Sequence, residues 1–159
     1  MSLVKFIEAR WDNAQEALKA RRWPEAQRDA RIVAVTLPNA GRALMLCGMC
    51  IAPLGLLEEV LTMLQRAHVV RPRDALVLTR LSEALYAAGR FVEAEACVRT
   101  ALDLGITAGE GYFLLARILW LQGRVVEARK ILDMAESVEP GLAERRRILE
   151  YTTCSADFT

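Results

Sequence analysis

The stretch GRFVEA at residues 89–94 returns as GRVVEA at residues 123–128, a step of 34 residues. Moving back from Ala94 by the same step reaches Val60 and then Ala26, so a small or modest apolar residue occupies this position each time. Self-similarity at such a period is typical of repeat proteins, in which each repeat is one supersecondary unit. The sequence therefore predicts a chain built from repeated units.

Helix-ending residues follow the same period. Pro38, Pro72 and Pro140 occupy equivalent positions, and Ile106 occupies the one without proline, where the preceding Gly105 can end the helix instead. These markers divide the chain into four predicted units. The units span approximately residues 7–40, 41–74, 75–108 and 109–142.

Apolar residues inside a unit are spaced for helices. In the third unit, Leu78, Leu81 and Leu85 lie three and four residues apart, and a second series with such spacing starts at Phe91. This spacing puts each series on one face of a helix. Between the two series, Gly89 can adopt the backbone angles that reverse the chain. We therefore predict that each unit is a helical hairpin.

These residues resemble the tetratricopeptide repeat family, whose unit is a helix, a turn and a helix over 34 residues. The second unit matches the family pattern at Leu44, Gly48 and Ala67, and the fourth matches at Ala116 and Ala128. The resemblance implies an all-α fold, a right-handed α-solenoid of four such repeats. The small residues of the pattern are expected where two helices approach closely.

The first unit departs from the pattern. Arg10 and Asn13 stand where apolar residues are expected, so the first helix of this unit is predicted to be rotated. Pro24 suits the first position of the second helix, which places the turn at residues 23–25. The alternative core stripe on the first helix would consist of Leu3, Ile7, Trp11, Ala14 and Leu18.

One more helix is predicted after the fourth unit. Leu142, Ile148 and Leu149 flank three consecutive arginines, a pattern typical of an amphipathic helix. We expect this helix to cap the array over residues 142–151. Residues 1–151 would then form a single domain, with a frayed tail at residues 152–159.

Composition and charge argue against several classes of partner. Apolar residues make up 53% of the chain and charged residues 26%, and the formal net charge of +1 offers no broad field to attract nucleic acid or anionic membranes. The most apolar stretch, residues 43–57, is shorter than the roughly 20 residues that cross a bilayer. Because residues 1–10 lack the apolar core of a signal peptide, we expect a cytoplasmic protein that binds neither nucleic acid nor membranes.

Three features could indicate catalytic or metal chemistry, and each has a simpler explanation. Cys47 and Cys50 have the spacing of zinc and redox sites, but no second ligand pair has a matching spacing, so we interpret them as packed free thiols. His68 is the only histidine and has no base or nucleophile beside it in sequence. Neighbouring glutamates such as Glu93 and Glu95 point in different directions on a helix and are expected on a solvated face. We therefore predict no enzymatic activity, no metal and no cofactor.

The first helices of stacked hairpins line the inner surface of a curved array, where repeat proteins usually bind their partners. Methionine adapts to varied shapes, while tyrosine and tryptophan offer large contact areas with a polar handle, so this surface suits an amphipathic helix or an extended peptide. The alternative is that Met45, Phe113 or Trp120 simply completes the core. The predicted groove residues are Leu18, Arg42, Met45, Met49, Leu76, Arg80, Glu83, Tyr86, Phe113, Arg117 and Trp120.

Some tetratricopeptide co-chaperones grip a carboxylate terminus with Lys, Asn and Arg side chains on these helices. Of the matching residues in this chain, only Arg80 would serve, which argues against a carboxylate clamp and favours apolar anchors. The matching residues are Trp11, Gln15, Leu46, Leu76 and Arg80.

The resemblance implies a non-catalytic module that binds a protein or peptide partner, as a scaffold or a chaperone. A narrower likeness, in length and general character, is to the small tetratricopeptide chaperones of type III secretion. Two other hypotheses remain open at this point. The chain could be the accessory N-terminal repeat region of a larger enzyme such as a transferase, or a scaffold that assembles into a homo-oligomer.

Overall fold

The computed structural model describes residues 2–37, 40–52, 55–105 and 109–142. Within these ranges the chain forms eight α-helices and no strand, and a short 3₁₀ helix spans Pro140–Leu142. The predicted capping helix beyond Leu142, the tail at residues 152–159, Pro38 and Ile106 lie outside the described residues. The α-helices are α1 (Leu3–Lys19), α2 (Trp23–Thr36), α3 (Gly41–Ile51), α4 (Leu57–Val70), α5 (Ala75–Ala87), α6 (Phe91–Asp103), α7 (Gly109–Leu121) and α8 (Val125–Val138).

Successive helices pack in four pairs. The tightest contacts join α1 to α2, α3 to α4, α5 to α6 and α7 to α8, and the second helix of each pair contacts the first helix of the next. One cluster of buried apolar side chains includes residues from all eight helices, so the pairs share a continuous core. The predicted all-helical array is confirmed. None of the helices in the described ranges is both long and apolar enough to span a bilayer.

Turns within the pairs repeat with the period of the sequence. Arg21, Gly55, Gly89 and Gly123 all have positive φ angles, of 57°, 75°, 74° and 77°. An L-residue pays a steric penalty in this left-handed region and glycine does not, which explains glycine in three of the four turns. The first turn was predicted too late in the sequence. The chain reverses before Trp23, which already begins α2.

We expect Gly89→Ala to lower the free energy of unfolding by about 1–2 kcal/mol, the cost of placing an L-residue in the left-handed region. A Cβ at Gly89 would meet no atom within 4 Å, so this cost comes from the backbone alone. By the same reasoning, Arg21→Gly should raise the stability by a similar amount. Thermal unfolding followed by circular dichroism measures both changes, and equal shifts of the same sign would contradict the assignment of these turns.

The small residues of the repeat lie where helices meet. Ala26, Val60, Ala94 and Ala128 occupy equivalent positions on the second helices, and each is 3% exposed or less. Gly48 provides a second kind of close approach, because a Cβ at this position would lie 3.2 Å from Cγ of Leu64. The packing role predicted for the small residues is therefore confirmed.

Helix α1 keeps most of its predicted core stripe: Ala14 lies in the core cluster, and Trp11 and Leu18 pack against it. Ala14 and Ala17 are its buried residues, whereas Leu3 is 66% exposed, so Leu3 does not belong to the core stripe. Arg10 faces α2 and donates a hydrogen bond to the buried carboxylate of Asp29, with its Nη1 3.0 Å from Oδ1. Among the described residues, α2 and α3 are the elements that contact α1 most.

Glu95 lies in an ion-pair cluster on the second helices. Its carboxylate pairs with Arg99 and Arg124, each at 2.8 Å, and its side chain is only 14% exposed. Burial raises the pKa of Glu95, but the hydrogen bonds from the two arginines outweigh this and hold the pKa below its ordinary value. The prediction of a solvated face was therefore wrong for Glu95, whereas Glu93 is exposed as expected.

Candidate functional site

One surface of the array is formed by the first helices of the four pairs. Helix α1 contacts α3, α3 contacts α5, and α5 contacts α7, whereas no two second helices of the described chain contact each other to this extent. The first helices therefore lie closer together than the second helices, which makes their side the inner side of the curve. We call the exposed surface of α1, α3, α5 and α7 the inner wall.

The amino-terminal depression lies on the inner wall between α1, α3 and α5. Its volume is about 430 Å³. Partly exposed apolar side chains and three cations line it, and Leu76 is 47% exposed. The lining residues are Trp11, Gln15, Leu18, Lys19, Arg42, Met45, Leu46, Met49, Leu76 and Arg80.

The central depression extends from the inner wall toward the turn between α3 and α4, with a volume of about 540 Å³. Gly48, Ala84 and Ala87 help to line it, and their small side chains leave space that larger residues would fill. Met49 and Arg80 line both this depression and the amino-terminal one. The two depressions therefore adjoin each other on the inner wall.

The carboxy-terminal depression lies between α5 and α7, with a volume of about 470 Å³. Arg117 crosses it and contacts Tyr86, with its Cζ 4.6 Å from the ring centroid and its Nη2 donating a hydrogen bond to the tyrosine oxygen at 2.8 Å. Such a cation–π contact fixes the position of both side chains. Phe113, Glu83 and Glu110 also line this depression.

All the predicted groove residues except Trp120 line one of these depressions. Trp120 is partly buried and packs against the core cluster. Several lining residues were missed, among them Lys19 and Glu110. Glu110 could have been found by the repeat, because it follows Leu76 by one step of 34 residues.

Charge is distributed unevenly along the inner wall. Arg80 and Glu83 pair on α5, with Nη1 2.9 Å from Oε2. Arg42 and Lys19 make no ion pair with any acidic side chain that the structure describes. The amino-terminal depression therefore has two unpaired cations beside its apolar side chains.

Cys47 and Cys50 carry no sign of a reactive site. Cys47 and Cys50 are fully buried free thiols. Burial raises the pKa of Cys47 and raises that of Cys50 to about 12. Their thiolates are therefore scarce at neutral pH, and the thiolate is the nucleophilic form. Among the residues described, no group of three or more His, Cys, Asp and Glu side chains is placed to hold a metal ion.

Residues 79–141 match the family model for the tetratricopeptide repeat. No curated protein matches the whole sequence significantly.

Solved structures share the fold across most of the chain. A thermophilic tetratricopeptide protein of Thermus thermophilus is 23% identical, with a TM-score of 0.76 over 93% of this chain and 81% of that one. MamA from Desulfovibrio magneticus is 16% identical, with a TM-score of 0.83 over 95% of this chain and 85% of that one. The O-GlcNAc transferase of Thermobaculum terrenum is 24% identical, with a TM-score of 0.68, and the match covers 75% of this chain but 23% of the enzyme. Because these sequences are so different from that of this chain, the similarity concerns the fold alone.

Proposed function

Because the chain carries tetratricopeptide repeats, we propose that it is a non-catalytic interaction module that holds a peptide or an amphipathic helix of a partner protein on its inner wall. It would act as a scaffold or as a chaperone. Tetratricopeptide repeats are protein-interaction modules, and solenoids of this kind use their concave surfaces for binding. The partner's apolar residues would enter the three depressions.

The observation that supports the proposal most strongly is the exposure of apolar side chains on the inner wall. Leu76 is 47% exposed, whereas the other leucines of α5 are almost completely buried. Met45 and Met49 are partly exposed beside it. A leucine side chain that leaves water contributes about 1.5–3 kcal/mol when fully buried, so a partner that covers these residues gains affinity.

The absence of catalysis is part of the same proposal. The single histidine, His68, is half-buried on α4, and its Nδ1 has no hydrogen-bond partner among the described residues. The buried thiols have raised pKa values, which disfavours nucleophilic attack at neutral pH. These features support a binding role over a chemical one.

Affinity capture with the double variant Met49→Asp Phe113→Asp tests the proposal. The two substitutions put carboxylates into the amino-terminal and carboxy-terminal depressions. We expect recovery of the partner to fall about tenfold or more, because buried apolar anchors dominate binding energy. Circular dichroism of the variant checks that the fold is retained.

The matched control is Val92→Asp Val126→Asp. These valines lie at equivalent positions on α6 and α8 and are 77% and 72% exposed, so the control adds the same charge away from the inner wall. It should capture the partner as well as the wild-type chain does. Equal capture by the groove variant and the wild-type chain would overturn the proposal.

Two narrower hypotheses are a chaperone of type III secretion and the accessory region of a transferase. Both use the same inner wall for binding and differ in the larger system to which the chain would belong. The likeness to the O-GlcNAc transferase is one of repeat fold and gives this chain no transferase chemistry. Both therefore remain hypotheses about the context in which the groove works. A homo-oligomer is a separate hypothesis, which light scattering across a range of concentrations tests.

A further inference from the structure

We infer that the segment held on the inner wall is acidic as well as apolar, a stretch of aspartate or glutamate with aliphatic residues that binds in the amino-terminal depression. This inference rests on the proposed function and adds the chemistry of the partner. It depends on which charged side chains border each depression and on which of them are already paired.

Cations border the amino-terminal depression and carboxylates do not. Lys19 lies in the last turn of α1, Arg42 in the first turn of α3, and Arg80 near the middle of α5. All three line the depression, and none of its lining residues is acidic. An occupant with carboxylates at its edges would therefore meet complementary charge.

Two of these cations are available to a partner. Arg42 and Lys19 form no ion pair in the parts of the chain that the structure covers. Arg80 is already engaged by Glu83, and its Nε is buried, so it adds no accessible donor. A carboxylate of the partner could accept hydrogen bonds from Arg42 and Lys19, and hydrogen bonds between charged groups are the stronger kind.

Apolar side chains lie between the cations. Leu18, Met45, Met49 and Leu76 line the same depression as Arg42 and Lys19. A purely acidic peptide would leave these side chains in water, and a purely apolar one would desolvate the cations without pairing them, which is costly. A segment that combines the two kinds of residue satisfies both parts of the surface.

The carboxy-terminal depression has the opposite character. Glu83 and Glu110 line it, and its one cation, Arg117, is engaged by the ring and the hydroxyl oxygen of Tyr86. Two carboxylates and one cation line this depression, whereas three cations and no carboxylate line the amino-terminal one, so an acidic segment meets less complementary charge here. The acidic part of the partner is therefore directed to α1 and α3, so the inner wall gives the bound segment a direction.

Selection from a library of random peptides displayed on phage tests the inference. The intact chain is compared with the double variant Lys19→Glu Arg42→Glu. The control is Arg129→Glu Lys130→Glu, which makes the same change in net charge at two exposed positions on α8. We expect the wild-type chain and the control to enrich peptides that combine Asp or Glu with Leu, Ile or Met, and the Lys19→Glu Arg42→Glu variant to lose this acidic preference.

The peptide most enriched by the wild-type chain is then synthesised with a fluorescent label and its binding measured by anisotropy. We expect affinity for the Lys19→Glu Arg42→Glu variant to be about tenfold weaker or worse, and to weaken with added salt for the wild-type chain. Enriched peptides that are neutral or basic, or affinity unchanged by the variant, would overturn the inference and leave the proposed function standing. No enrichment by any form of the chain would overturn both.

Discussion

Replacing Leu44 with alanine is expected to lower the free energy of unfolding by about 2–5 kcal/mol, the usual cost of a cavity in a packed core. Leu44 lies on α3, is fully buried, and belongs to the cluster that joins all eight helices. Neighbouring pairs share this core, so the loss should destabilise the array as a whole. Chemical denaturation followed by circular dichroism measures the change.

Leu76→Ala is the matched control for Leu44→Ala. It removes the same atoms from a leucine that is 47% exposed on the inner wall. Its effect on the free energy of unfolding should be small, because the Leu76 side chain stays largely in water when the chain folds and so contributes little hydrophobic stabilisation. If Leu76→Ala destabilised the chain as much as Leu44→Ala does, the separation of core from binding surface would be wrong.

Replacing Ala94 with leucine should lower the free energy of unfolding by about 1–3 kcal/mol through overpacking. Ala94 is fully buried on α6 and belongs to the core cluster, and α6 packs most extensively against α5. The added atoms would push these helices apart. At the equivalent position on α8, Ala128→Leu should have a similar effect, because Ala128 is also fully buried.

Ala96→Leu provides the control for Ala94→Leu, since Ala96 lies on the same helix and is exposed. The same substitution should leave the stability nearly unchanged there. Melting temperatures of the two variants measured side by side decide the point. Equal losses would mean that α6 is rotated from the orientation described.

The fold could be predicted because one period appears in several independent features. The glycines of the turns, the small core residues and the helix-ending residues all recur at the same step, and Gly105, with a φ of 85°, follows α6 just before the position that lacks proline. Packing between pairs depends on a few positions that recur in every repeat. The same residue pattern therefore appears several times in one sequence, which makes it recognisable. Arg21 shows that the turn geometry persists where the glycine itself is missing.

Predictions failed where a side chain depends on a neighbour that the repeat does not fix. Leu3 has the right spacing for the core, but as the first residue of α1 it is exposed. Glu95 reads as a surface residue, yet Arg124 from the following turn and Arg99 enclose its carboxylate. Both outcomes depend on contacts between elements, which periodicity within one helix does not reveal.

The inner wall was predictable as a surface and less so in its detail, and its role as a binding groove stays a prediction. Helical spacing identifies the first helices, and stepping by the period places Met49, Glu83 and Arg117 at equivalent positions along the inner wall. Which charged side chains of the inner wall are engaged depends on side-chain geometry, as in the contact of Arg117 with Tyr86. The contrast between the two ends of the wall therefore emerges only in three dimensions.

Binding on the inner wall is tested most directly by the methyl groups of methionine, of which the sequence has five. Met45 and Met49 line the amino-terminal depression, whereas Met63 lies on α4 away from the three inner-wall depressions and Met134 is exposed on α8. In a methyl NMR spectrum of the ¹³C-labelled chain titrated with the selected peptide, the Met45 and Met49 resonances should shift while those of Met63 and Met134 stay in place. Shifts confined to Met63 and Met134 would contradict binding on the inner wall.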